Sequence, residues 1–131
     1  MFRHVRRIAV LAPACALAIF AASAQAYTTH DINGITLTES YSYISPLQYH
    51  ISSGTDGEVA FRWLDAPGKD TTIQAVSCND NTELGHSNYN SGATGFQTLF
   101  YGFNNQCFQL RGRTQAGQGS MANPHNGRVR H

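Results

Sequence analysis

Beyond residue 26 the apolar positions recur at every second residue, and no stretch keeps a helical period over three turns. Alternation of that kind marks half-buried strands, because successive strand side chains point to opposite faces. Val59, Phe61 and Trp63 share one parity of Val59–Leu64, and Phe108 and Leu110 share one parity of Cys107–Arg113. Tyr41–Ile51 alternates as well, with Tyr41, Tyr43, Ser45, Leu47, Tyr49 and Ile51 on the same side. Pro46 has no amide donor, so it predicts a break or a sheet edge in that run. Phe96–Phe103 is apolar on both parities, the pattern of a central strand covered on both faces.

Turn signals punctuate these runs. Asn33-Gly34 supplies the positive φ pair of a type I′ turn and predicts a hairpin between Thr28–Ile32 and Ile35–Glu39. Ser52–Glu58, with Gly54 and Asp56-Gly57, reads as a turn. Ala66-Pro67-Gly68 predicts a type II turn that pairs Val59–Leu64 with Thr71–Ser77 as a second hairpin. Asn79–Gly95 and Thr114–Asn126 are small and polar and predict loops, and Asn126-Gly127 turns the chain into a short last strand, Arg128–His131. Six to eight short strands in one unit predict an all-β fold, a small antiparallel β-sandwich or a partly open barrel.

The first 26 residues have a different grammar. Arg3, Arg6 and Arg7 precede an apolar run, Ile8–Ala22, and Ser23-Ala24-Gln25-Ala26 ends it with small residues. A basic start, an apolar middle and an Ala-x-Ala end predict a cleaved export signal, residues 1–26, and a single secreted β-domain, residues 27–131. The apolar run falls short of the ~20 residues a membrane span needs, so no transmembrane anchor is expected. Arg6-Arg7 lacks the flanks of a twin-arginine signal, and Cys15 sits too early for a lipoprotein box. The expected location is extracellular, or periplasmic in a Gram-negative cell.

That location changes the reading of the cysteines. Cys15 leaves with the leader, and Cys78 and Cys107 remain. Two cysteines in an oxidising compartment predict one disulfide with one possible connectivity. A metal or nucleophilic cysteine site needs companions at ligand spacing, and His86, eight residues after Cys78, is the only neighbour of that kind. No metal and no cofactor are expected.

Charge separates along the chain. Residues 27–83 hold all eight carboxylates with Arg62 and Lys69, whereas residues 84–131 hold Arg111, Arg113, Arg128 and Arg130 and no carboxylate. The domain is slightly acidic overall, although the full chain carries +1, which argues against a nucleic-acid binder.

A strand ending in Cys78, a polar loop, an aromatic strand, then Cys107-Phe108-Gln109-Leu110-Arg111-Gly112-Arg113 and a basic last strand resembles small secreted single-disulfide β-proteins of actinobacteria. The resemblance spans roughly the last half of the chain. It implies an exported β-protein and carries over no catalytic residue.

Three surfaces remain as candidates for function. Arg111 and Arg113 share a parity, as do Arg128 and Arg130. If the last two strands pair, the four guanidinium groups line one anion-binding stripe, which His125 and His131 strengthen at mildly acidic pH. Trp63 and Tyr43 are candidates for an aromatic platform that stacks sugar rings; Tyr41, Tyr49, Phe61, Tyr101 and Phe103 share that pattern, although such residues commonly fill a core. Asn79-Asp80-Asn81-Thr82-Glu83 has oxygen ligands but not the spacing of a calcium loop. No Gly-x-Ser-x-Gly, His-Glu-x-x-His or phosphate loop occurs, so no catalytic residue is assigned. The leading expectation is a non-catalytic binding module that engages an anionic cell-envelope polymer or an extracellular protein through the arginine stripe. The alternatives are a small secreted hydrolase or toxin using loop histidines such as His86, and an enzyme inhibitor presenting Asn79–Gly95.

Overall fold

A computed structural model describes residues 26–131. The export signal expected at 1–26 lies outside the described residues except for its last, Ala26. Among the described residues there is no helix, and none is long and apolar enough to cross a membrane. Within the described residues nine strands form two antiparallel sheets: β1 (Thr29–Ile35), β2 (Ser42–Tyr43), β3 (Tyr49–His50), β4 (Glu58–Trp63), β5 (Thr71–Ser77), β6 (Glu83–Tyr89), β7 (Gln97–Tyr101), β8 (Cys107–Thr114) and β9 (His125–Arg130). The first sheet has the order β1-β9-β4-β7. The second has the order β2-β8-β5-β6, with β3 also on β8. The fold is therefore the expected all-β, sandwich-like arrangement.

The alternation dictates the core. Val59, Phe61 and Trp63 of β4 are fully buried, as are Ile73 of β5 and Phe108 and Leu110 of β8. The rings of Phe61 and Trp63 meet edge to face at 5.3 Å. Polar atoms that enter this layer bring partners. The Trp63 indole N–H donates to Thr71 Oγ1 at 3.1 Å, and the Tyr89 hydroxyl donates to the Phe61 carbonyl at 2.7 Å. Both bonds join one sheet to the other, and burial pushes the Tyr89 phenol far above its ordinary pKa.

Cys78 and Cys107 form the disulfide, with Cα atoms 5.6 Å apart. They follow β5 and open β8, so the cross-link ties two central strands of the second sheet at one end.

Several local expectations are corrected. Asn33-Gly34 is not a hairpin turn. β1 runs through it and pairs with β9, with a bulge between Ile32 and Ile35 where Gly34 takes φ 72°. Asn126-Gly127 is likewise inside β9 rather than at its start, and Asn126 Oδ1 accepts the Gly34 N–H at 3.1 Å. Gly127 is a packing glycine: a Cβ there would lie 2.3 Å from Phe61 Cζ. A local motif cannot distinguish a turn from a bulge, because both need the same backbone freedom.

β4 and β5 do not form a hairpin. They lie in different sheets, and residues 64–70 cross between them; Gly68 lacks the positive φ of a type II turn. Phe96–Phe103 supplies β7, an edge strand paired only with β4, and Tyr101 and Phe103 are exposed. Asn79–Gly95 is not a loop throughout, since β6 occupies Glu83–Tyr89. Its outer face is polar and it lies at an edge, so it lacks the apolar alternation of a central strand. Tyr41–Ile51 breaks near Pro46 into β2 and β3, both against β8, and Ile44 turns inward while Tyr43 turns out.

Candidate functional site

The four arginines do not share a face. β8 and β9 belong to different sheets, because residues 115–124 carry the chain across the sandwich instead of turning it back on itself. Alternation along β8 points Arg111 and Arg113 outward from the second sheet, with Phe108, Leu110 and Gly112 inward. The same rule points Arg128 and Arg130 outward from the first sheet.

The two pairs differ in their electrostatic state. On the first sheet, Arg128 faces Asp31 in register and meets it with two bonds, Nε to Oδ1 at 2.5 Å and Nη2 to Oδ2 at 3.0 Å. The Arg128 hydrogen bond holds the Asp31 carboxyl below its ordinary pKa, and the carboxylate in turn raises that of Arg128. Arg130 Nη2 lies 3.2 and 3.1 Å from the two oxygens of Glu58. Its guanidinium also sits over the rings of Phe96 at 4.5 Å and Tyr27 at 4.9 Å. Glu58 further accepts from Thr98 Oγ1 at 2.7 Å and from the Tyr27 hydroxyl at 2.9 Å. Burial pushes the Glu58 pKa up, but these donors together outweigh it, and the net direction is down. Arg128 and Arg130 are thus neutralised within the fold.

On the second sheet, Arg111 and Arg113 flank one ring. Their guanidinium carbons lie 5.0 and 4.8 Å from the centroid of Tyr41. Arg111 lies between Tyr43 of β2 and Gln74 of β5 in register, and its Nε donates to Gln74 Oε1. Arg113 lies opposite Thr72. Among the described residues neither arginine has a carboxylate within ion-pair distance. Tyr43 is exposed beside them, with its hydroxyl on Asn81 Oδ1 at 2.8 Å. The neighbouring outward positions of β5 and β6 are Thr72, Gln74 and Asn88, with Thr72 bonded to Asn88 at 2.8 Å, and His86, which lies opposite Gln74 and meets the Glu83 carboxylate. The arrangement is a cationic clamp on an aromatic ring, set in a polar face.

The aromatic platform of Trp63 and Tyr43 does not form. Trp63 is fully buried in the core, where a small domain needs its largest side chain. Tyr49 and Phe61 are buried too; Tyr43, with Tyr41 beside it, lies on the arginine face, whereas the exposed Tyr101 and Phe103 lie at and just beyond the end of β7.

The histidines divide into three settings. His86 Nδ1 lies 2.5 Å from Glu83 on the exposed edge strand, in no cleft. His125 Nδ1 lies 3.5 Å from Asp65 Oδ2. His30 and His131 stack at 5.2 Å where β1 approaches β3, and His131 Nδ1 lies 2.5 Å from the His50 carbonyl. Burial lowers the His131 pKa, against the raising effect of that carbonyl. His131 and His125 therefore take no part in an arginine stripe. Among the described residues no group of three or more His, Cys, Asp or Glu side chains is arranged to hold a metal ion. Asp80 instead accepts the Thr82 N–H at 3.0 Å, which lowers its pKa and closes the turn before β6.

The selective signal that sequence reasoning missed is the counterion. Asp31 and Glu58 were legible as carboxylates, but their pairing across 97 and 72 residues of chain is a matter of register. Neither protein-family models, curated proteins nor solved structures give a match to this chain.

Proposed function

We propose that the protein is a non-catalytic binding module working outside the cytoplasm, and that it engages an anionic polymer through Arg111, Arg113 and Tyr41. The observation that carries this reading is the unequal treatment of the four arginines of β8 and β9: two are neutralised by Asp31 and Glu58, and two are left without a carboxylate on a polar face. Two residues of strand rise separate Arg111 from Arg113 by about 7 Å. Unit charges at that distance repel by about 0.6 kcal/mol in water and about 2.4 kcal/mol at the effective dielectric of a protein surface. A phosphate or carboxylate group between them relieves that repulsion and accepts paired guanidinium donors. Tyr41 adds a cation–π contact to each. The disulfide and the basic-apolar-small leader support the extracellular setting.

The test is retention on vesicles containing phosphatidylglycerol and on an isolated anionic envelope polymer, across a salt series. The expected result is salt-sensitive retention that is lost in R111Q/R113Q and kept in R128Q. Equal retention of R111Q/R113Q would reject the surface.

A further inference from the structure

Two loops cross between the sheets at one end of the sandwich, 64–70 from β4 to β5 and 115–124 from β8 to β9, and a cavity of about 340 Å³ opens between them. Its lining includes Pro67, Lys69, Met121, Asn123 and His125. This site is separate from the arginine clamp, and it does not depend on the reading given to that clamp.

The walls are held in place. Met121 is buried; its N–H donates to the Leu37 carbonyl at 2.9 Å, and its Sδ accepts the Leu37 N–H at 3.2 Å. Pro67 is buried as well. The Lys69 ammonium donates to the Gln118 carbonyl of the second loop. Ammonium has three donors, so two remain, and among the described residues no carboxylate lies within ion-pair distance of it.

His125 contributes an oriented ring. It stands edge-on to Trp63 with centroids 6.4 Å apart, and its Nδ1 is buried on the side of Asp65, 3.5 Å from Oδ2. Asp65 is itself tied to the backbone, accepting the Asn126 N–H at 2.5 Å, and it does not line the cavity. The ring lines the cavity, and an imidazole nitrogen there can exchange a hydrogen bond with a hydroxyl group, which both donates and accepts.

The cavity therefore offers a cation at Lys69, an imidazole at His125, an amide with both donors and acceptors at Asn123, and apolar wall from Met121 and Pro67. We infer that it binds a hydroxylated ring carrying a carboxylate, that is, a sugar acid. The carboxylate meets Lys69, ring hydroxyls meet the His125 imidazole and the Asn123 amide, and the C–H face of the ring lies on Met121 and Pro67. A single pyranose is of the right order for the space, which lies near the lower end of small-ligand sites, about 300–1,000 Å³.

The probe is sodium glucuronate, titrated into the purified protein and followed by NMR shifts of the Met121 methyl group and the His125 ring. Glucose has the ring without the charge, and propionate has the charge without the ring. The expected result is saturable binding of glucuronate, with glucose and propionate each weaker by about tenfold or more. K69Q weakens glucuronate by about 10- to 100-fold, the range for one charge-assisted hydrogen bond. N123A, at an exposed position, weakens it by a smaller factor, and R111Q/R113Q leaves it unchanged. Unaltered Trp63 emission certifies that each variant is folded. Glucuronate binding no tighter than glucose or propionate, or unchanged in folded K69Q, would overturn the inference.

Discussion

Glu58 is the most heavily engaged carboxylate of the fold, and replacing it with glutamine tests the electrostatic reading of the first sheet. The side chain is 11% exposed and accepts from Thr98, Tyr27 and Arg130. Glutamine keeps the shape but turns one acceptor oxygen into a donor and removes the charge. Hydrogen bonds to a charged group contribute about 1.5–3 kcal/mol and neutral ones about 0.5–1.5 kcal/mol, so three weakened bonds set an upper range near 4 kcal/mol. Desolvation of the carboxylate, which the variant avoids, offsets part of this. Arg130 is 29% exposed at its side chain and keeps its contacts with Phe96 and Tyr27, so it rehydrates in part. The net expectation is a loss of about 2 kcal/mol. The assay is urea unfolding followed by Trp63, the single tryptophan and a fully buried one. With a urea slope of about 1–2 kcal/mol per molar, the midpoint falls by about 1–2 M.

The pH dependence gives a second signature. The folded-state pKa of Glu58 lies below the ordinary 4.5 of a glutamate, so its stabilising contribution is fully present above that value and is lost as pH falls through the folded pKa. E58Q lacks that segment of the acid profile. A variant with an unchanged midpoint, or with the same loss of stability below pH 4.5, would refute the assignment of Glu58 as the counterion that neutralises Arg130.

Two further outcomes follow from the same structure. Replacing both Cys78 and Cys107 with serine opens a loop with a sequence separation of 29; the chain-entropy relation gives a loss of about 3–4 kcal/mol, to be read from the urea midpoint, and a loss under 1 kcal/mol would show that β5 and β8 hold their ends together without the cross-link. His131 is buried and its pKa is lowered from 6.5, so its contribution is present above pH 6.5 and declines as pH falls through the folded value; thermal melts between pH 7.5 and 5 are expected to show a falling Tm that H131Q flattens, and parallel profiles would exclude His131 as the titrating group.

The chain by itself determined what depends on neighbours a few residues apart. Alternation in Val59–Trp63 and Cys107–Thr114 identified inward and outward side chains correctly, because a strand's two-residue period is set by its own backbone. The disulfide followed from the two cysteines that remain once Cys15 is set aside with the expected leader. Pairing followed different rules. Asn33-Gly34 and Asn126-Gly127 carry the same local signal as a hairpin, and became facing positions of β1 and β9 because those strands meet along their whole length. Thr71–Ser77 and Val59–Leu64 are strands as expected, yet a seven-residue connection carried them into opposite sheets, where their apolar faces cover each other. The arginines show the consequence for function. Their outward direction was legible in the alternation, but their charge state was not, since a carboxylate about one hundred residues away decides it for Arg128 and no carboxylate reaches Arg111 or Arg113. Direction is a property of the strand, whereas neutralisation falls off with distance in space and so belongs to the tertiary register.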